Sequence, residues 1–285
     1  MFAMLDQKIK QLTGISFSKS TTQSADILPV NVVQCKYDQI RLLAERCPNV
    51  ATLDWKLEPN VTAKNFDYIF SKCKKLESLR LDFSECLLIY PLENLGNFWS
   101  SQSLRSLEMI NCRVIDPVLI KMTESFKRLE NLKLNASDVT TRGVTSLTNL
   151  KNLRRLMIDL HPYGWQASYE EVRALARCPT LEEIEFVKAL KSVTFLTLIR
   201  FCPGLNRVRL FDMEDVESAR QAADVMKSMQ GIRNKNLVIE FSSDFAFENW
   251  DTEEVKEVLD KVNAANRCVI KVVAEEPDIV KPSDY

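Results

Sequence analysis

Cys178-Pro179-Thr180-Leu181-Glu182-Glu183-Ile184-Glu185-Phe186 and Cys202-Pro203-Gly204-Leu205-Asn206-Arg207-Val208-Arg209-Leu210 are two copies of one nine-residue phrase. Each reads cysteine, proline, any residue, apolar, two residues, apolar, one residue, apolar. The last two apolar residues flank a polar one, which puts them on one face of a short strand. The residue between them, Glu185 or Arg209, points to the other face. The proline biases the residue before it away from helix, so a preceding helix ends there and a strand is admitted.

The same apolar spacing recurs along nearly the whole chain. It appears at Val50–Trp55, Leu76–Leu81, Leu104–Met109, Leu129–Leu134 and Leu153–Ile158. A weaker copy opens the series at Ile27–Val32, and degenerate copies close it at Leu237–Phe241 and Val269–Val272. The central apolar position falls at residues 30, 53, 79, 107, 132, 156, 184 and 208, so the steps are 23, 26, 28, 25, 24, 28 and 24 residues. A single copy would mean nothing. Seven good copies at steps of roughly 20–29 residues are the signature of a leucine-rich repeat.

Amphipathic stretches lie between the copies: Asp38–Cys47, Thr62–Cys73, Asp116–Lys127, Ser168–Cys178 and Ser192–Cys202. Each opens with Asp, Ser or Thr, read as a helix N-cap, and then carries apolar residues at helical spacing. One strand and one helix per unit cannot bury their apolar faces alone, so neighbouring units stack into a continuous core. The expected fold is α/β: a horseshoe-shaped solenoid with a parallel concave sheet and convex helices. Residues 1–25 read as an N-terminal leader or cap, 26–242 as the repeats, 243–274 as a C-terminal capping unit and 275–285 as a flexible tail. The cap contains a longer, charged helical stretch from Asp251, as an end that must face water requires.

The cysteines refine the class. Cys47, Cys73, Cys178 and Cys202 all stand six residues before a central apolar position, and three of them precede proline. Cys35 and Cys112 stand three residues after the strand's last apolar residue. CPNVATLDW, CPTLEEIEF, CPGLNRVRL and, except for its proline, CKKLESLRL resemble the cysteine-containing subclass of leucine-rich repeats over about residues 27–242. That resemblance implies kinship with F-box/leucine-rich-repeat proteins, the substrate receptors of cullin-type ubiquitin ligases. In these the repeats hold the substrate and the F-box binds the ligase's adaptor. The F-box itself, which opens with a Leu-Pro-x-Glu-like motif, is not recognisable here, because Leu28-Pro29 is followed by Val30-Asn31. A ubiquitin-ligase adaptor is therefore an expected partner only if an F-box lies upstream.

Composition narrows the remaining classes. Lys plus Arg number 38 and Asp plus Glu 39, a net charge of −1, which argues against nucleic acid as a partner. No run of about 18 apolar residues suggests a membrane span, and the start lacks the apolar core of a signal peptide. Eight cysteines without a Cys-x-x-Cys pair suggest reduced thiols in a cytoplasmic or nuclear protein. One histidine, His161, leaves nothing for a His-based triad or metal cluster, and the 6 glycines form no phosphate loop. The expectation is a protein without catalysis, cofactor or metal.

Recognition then falls to the surface. The middle strand position reads Asp54, Arg80, Glu108, Lys133, Met157, Glu185, Arg209, a mixed-sign row suited to a protein partner on the concave face. The residue expected just after each strand offers Ile110, Val187 and Phe211 as partly exposed apolar groups at a rim. The two 28-residue steps carry extra loop, Ser84–Trp99 and His161–Ser168, and Tyr163 with Trp165 form a candidate aromatic anchor pair. Arg80, Glu108, Lys133, Glu185, Arg209, Phe211, Tyr163 and Trp165 are the protein-binding candidates. The expected function is substrate binding within an F-box-type ubiquitin ligase receptor. The alternative is a regulatory or inhibitor scaffold of the same fold outside the ubiquitin system.

Overall fold

The computed structural model describes residues 37–46, 48–59, 61–85, 96–112, 114–135, 138–159, 169–186, 197–198, 201–202, 204–211, 237–242 and 268–273. Its strands are β1 Thr52–Lys56, β2 Ser78–Asp82, β3 Ser106–Ile110, β4 Asn131–Asn135, β5 Arg155–Asp159, β6 Glu183–Phe186, β7 Arg207–Phe211, β8 Leu237–Ser242 and β9 Cys268–Val273. Its helices are α1 Tyr37–Arg46, α2 Ala63–Lys72, α3 Gly96–Trp99, α4 Asp116–Ser125, α5 Thr141–Ser146, continued by a tight turn at Leu147–Asn149, and α6 Tyr169–Leu175.

The nine strands form one parallel sheet in sequence order, so each pairs only with the units before and after it. The fold is the leucine-rich-repeat solenoid, its sheet concave and its helices convex. Register follows the repeat: Leu53 lies beside Leu79, Leu79 beside Leu107, Leu132 beside Leu156 and Ile184 beside Val208. The degenerate copies at the end of the chain continue the sheet in the same register, Val208 beside Ile239 and Ile239 beside Ile270.

Strand burial alternates as the sequence dictates. Leu53, Trp55, Leu79, Leu81, Leu107, Met109, Leu132, Leu134, Leu156 and Ile158 are buried toward the helices. Removing a side chain of this size from water contributes about 1.5–3 kcal/mol. The helix layer fills the gap differently along its length. Trp55, Phe66, Phe70, Phe98, Trp99 and Phe126 form a chain of ring contacts with centroids 4.6–5.6 Å apart. Beyond it the filling is aliphatic: Leu147, Leu150, Leu153, Val172, Leu175, Leu198 and Leu205. The step from Leu79 to Leu107, read as carrying extra loop, ends in α3, and its Phe98 and Trp99 belong to this aromatic core.

Helix capping departs from the expectation at two places. Thr62 does cap α2, in a reciprocal box with Asn65. Asp116 does not cap α4, whose N-cap is Ile115 with no side-chain bond. Its carboxylate instead accepts from the backbone N–H of Thr140, at 2.7 Å, at the start of α5 in the next unit. Asp38 lies inside α1, and the N–H of Tyr37 donates to Glu58. Asp67 of α2 likewise accepts from the N–H groups of Asn97 and Phe98 in α3. The open N–H groups of a helix start accept any nearby carboxylate, and stacking supplies one from the neighbouring unit.

A second tie between units recurs at one repeat position. The hydroxyl of Ser103 donates to the carbonyls of Lys74 and Leu76, and that of Thr180 to those of Lys151 and Leu153. Gly204 holds the same position over the carbonyls of Leu181 and Pro179.

Candidate functional site

Parallel pairing brings the middle strand residues into a single row on the open face. Asp54 lies beside Arg80, then Glu108, Lys133, Met157, Glu185, Arg209, Glu240 and Lys271. Adjacent strands stand about 4.8 Å apart, within reach of long charged side chains. The charges alternate in sign and engage one another. Nη1 of Arg80 reaches both carboxylate oxygens of Asp54 at 3.2 Å, and its Nε lies 3.5 Å from Glu108. Lys133 Nζ lies 2.8 Å from the same Glu108 oxygen. Arg209 lies 3.6 Å from Glu185 and donates from Nε to Glu240.

Met157 divides this row. To one side is a closed group of Asp54, Arg80, Glu108 and Lys133. To the other is Glu185, Arg209 and Glu240, with Arg207 reaching Glu240 at 3.4 Å. Each group balances its own charge, so the row offers alternating local polarity and little net field. A neighbouring row repeats the device with Arg155 and Glu183, 3.4 Å apart, and the approach to the strands does so with Arg154 and Glu182, 3.3 Å apart.

Burial acts on these groups. Desolvation, only partly offset by Arg80, holds the Asp54 carboxyl above the ordinary carboxylate range. Desolvation does the same to Glu185 against the pull of Arg209 and, across Met157, of Lys133. Arg209 is held above its usual value first by the hydrogen bond it donates to Glu240. In Asp54 and Glu185 desolvation thus outweighs the attraction of the paired arginine, and the net stabilisation from these two pairs is small.

The five charged candidates are thus brought into one row, Arg80, Glu108 and Lys133 paired on one side of Met157 and Glu185 with Arg209 on the other. Phe211 is the last residue of β7, paired with Ser242 in the sheet; its side chain lies outside the described residues. Ile110 likewise ends β3 rather than standing in a rim loop, and it is half-buried. Tyr163, Trp165 and Val187 lie outside the described residues. Glu240 was not among the candidates, although alternation at Leu237–Phe241 would have placed it in the row. Its side chain, 10% exposed, is the most enclosed acid of the set.

The thiols sit on the closed side. Cys73, Cys178 and Cys202 are buried and unbridged, and burial pushes the Cys178 thiol up to about 11, the opposite of an activated nucleophile. Among the described residues no group of three or more His, Cys, Asp or Glu is placed to hold a metal ion. Among them, too, no helix is long and apolar enough to cross a membrane.

No family model matches the chain, and no curated protein matches it. Among solved structures it is similar to a chain of the yeast Rad7 and Elc1 complex, with 13% identity, a TM-score of 0.43, and coverage of 96% of this chain and 84% of that one. A likeness so loose carries no functional weight. The class stands on the nine-strand order and the repeat register.

Proposed function

We propose that this chain is a non-catalytic protein-recognition module that holds its partner on the open face of the sheet, as the substrate-binding part of an F-box-type ubiquitin ligase receptor. One observation supports the binding face. All-parallel sheets are almost always covered on both sides. Here, among the described residues, helices seal one side, while the other presents half-buried, paired charges across successive strands. A curved solenoid with such a face is built to receive a partner there. The ligase assignment draws on the cysteine-containing repeat motif.

The test is capture of partners by the chain carrying upstream sequence, with and without substitutions on each face. The charge swap Glu108→Lys with Lys133→Glu keeps the local pair and inverts the pattern offered to a partner. It should abolish substrate capture, while Lys121→Glu and Arg173→Glu on the exposed helix surface leave capture intact. Recovery of a ubiquitin-ligase adaptor, unaffected by the swap, is the expected companion result. Its absence in the presence of a captured partner moves the reading to a regulatory scaffold outside the ubiquitin system. Capture lost only through the helix-side variants overturns the open-face reading.

A further inference from the structure

Within the charge row, members differ in how fully they are paired. Arg80 has acids on both sides, Asp54 and Glu108; Glu108 has Arg80 and Lys133; Arg209 has Glu185 and Glu240. Among the described residues, the direct ion pairs of the two residues flanking Met157 point outward, and across Met157 the two feel each other only at longer range. Lys133 meets Glu108, and Glu185 meets Arg209 at a long 3.6 Å. An ammonium has three donors and a carboxylate about four acceptor sites, so both retain capacity toward the gap. Met157, half-buried, lies between them on the fifth of the nine described strands, at the middle of that described face. A central apolar contact ringed by polar groups is the arrangement that carries most binding energy in protein interfaces.

We propose that the Lys133–Met157–Glu185 triplet is the seat of a partner helix, laid across the strands, whose facing stripe reads acid, apolar, base on successive turns. This rests on the open face being the binding face. Spacing selects the helix. Neighbouring strands are about 4.8 Å apart and a helical turn advances about 5.4 Å, so side chains at i, i+4 and i+7 fall on successive strands. An extended peptide crossing the strands has same-face side chains about 6.8 Å apart and overshoots at each step. The acid meets Lys133, the apolar side chain rests on Met157, and the base meets Glu185. An acid N-terminal to the base also agrees with the helix dipole.

The probes are three alanine-based helical peptides carrying Glu-Leu-Arg, Glu-Ala-Arg or Glu-Leu-Glu at those positions, titrated against the full chain by fluorescence anisotropy. Glu-Leu-Arg is expected to bind, and replacing its leucine to weaken binding about tenfold or more. Glu-Leu-Glu is expected to bind more weakly than Glu-Leu-Arg. Met157→Glu should weaken Glu-Leu-Arg by a similar factor, and Met157→Leu should retain it, with both variants melting as the parent does. No binding, no dependence on the leucine, equal binding of Glu-Leu-Glu, or indifference to Met157→Glu overturns the proposal. Any of these, together with loss of a natural partner by open-face substitutions, leaves the broader binding-face reading standing. Peptide binding lost instead through Lys121→Glu and Arg173→Glu overturns both.

Discussion

The two faces of the sheet are made by alternate residues of the same strands, yet they obey different physics. On the closed face Leu79, Leu107, Leu132 and Leu156 stack from unit to unit beneath the helices, each at most 2% exposed. On the open face their neighbours Arg80, Glu108 and Lys133 stay partly hydrated and pair across strands. Truncation on the closed face leaves a cavity, whereas on the open face it leaves water and a released counter-charge. The comparison teaches that the sealed core and the open charge row are held one residue apart, so each can be perturbed without the other.

The largest effects belong to the closed face. Phe98→Ala removes a ring in contact with Phe66, Phe70, Trp99 and Phe126 and should cost about 3–5 kcal/mol in denaturant unfolding. Leu79→Ala, Leu132→Ala or Leu156→Ala should each cost about 2–5 kcal/mol. Losses under about 0.5 kcal/mol at all three leucines would remove the distinction between the faces.

On the open face, Glu108→Gln breaks two ion pairs at once and should cost no more than about 1 kcal/mol, since partly hydrated pairs contribute little. A loss matching the leucine variants would show the charge row to be part of the core. Single reversals are a harsher change than exposed positions suggest, because Arg80→Glu places three acids, with Asp54 and Glu108, in one row.

A smaller effect has a definite pH dependence. Glu185 has a folded-state value above its unfolded one, so the folded chain takes up its proton first and charged Glu185 opposes folding at neutral pH. Glu185→Gln should therefore not destabilise at pH 7. Its advantage over the parent should shrink as pH falls through the raised folded value toward the ordinary carboxylate range. An advantage growing toward acid would mean that pairing with Arg209 outweighs burial. Parallel melts of parent and variant from pH 7 to 4 decide this.

The smallest test concerns the seam between units. Gly204→Ser places a hydroxyl where Ser103 and Thr180 already clasp two carbonyls, and should add about 0.5 kcal/mol. A β-carbon there comes within 3.2 Å of the Leu181 carbonyl. A net loss on thermal melting would mean that this unit lies closer to its neighbour than the other two do. Thr180→Val, which keeps the shape and removes the donor, should cost about 1 kcal/mol.

The sequence by itself determined the solenoid, because a strand's inward residues must be apolar at every repeat and the spacing of LxxLxL survives every substitution between them. It determined the order of the sheet, the sealed face, the burial of Cys73, Cys178 and Cys202, and the row on which Arg80, Glu108, Lys133, Glu185 and Arg209 meet. It did not determine what those charges do with one another. Pairing depends on side chains reaching across a strand gap, and only the folded sheet shows Lys133 meeting Glu108, the neighbour of opposite charge that register sets beside it. Nor did it disclose that Asp116 and Asp67 cap helices of the following unit, since a cap is satisfied by whichever carboxylate stacking brings near. Local periodicity sets which way a side chain faces; only the assembled neighbours set what it meets there.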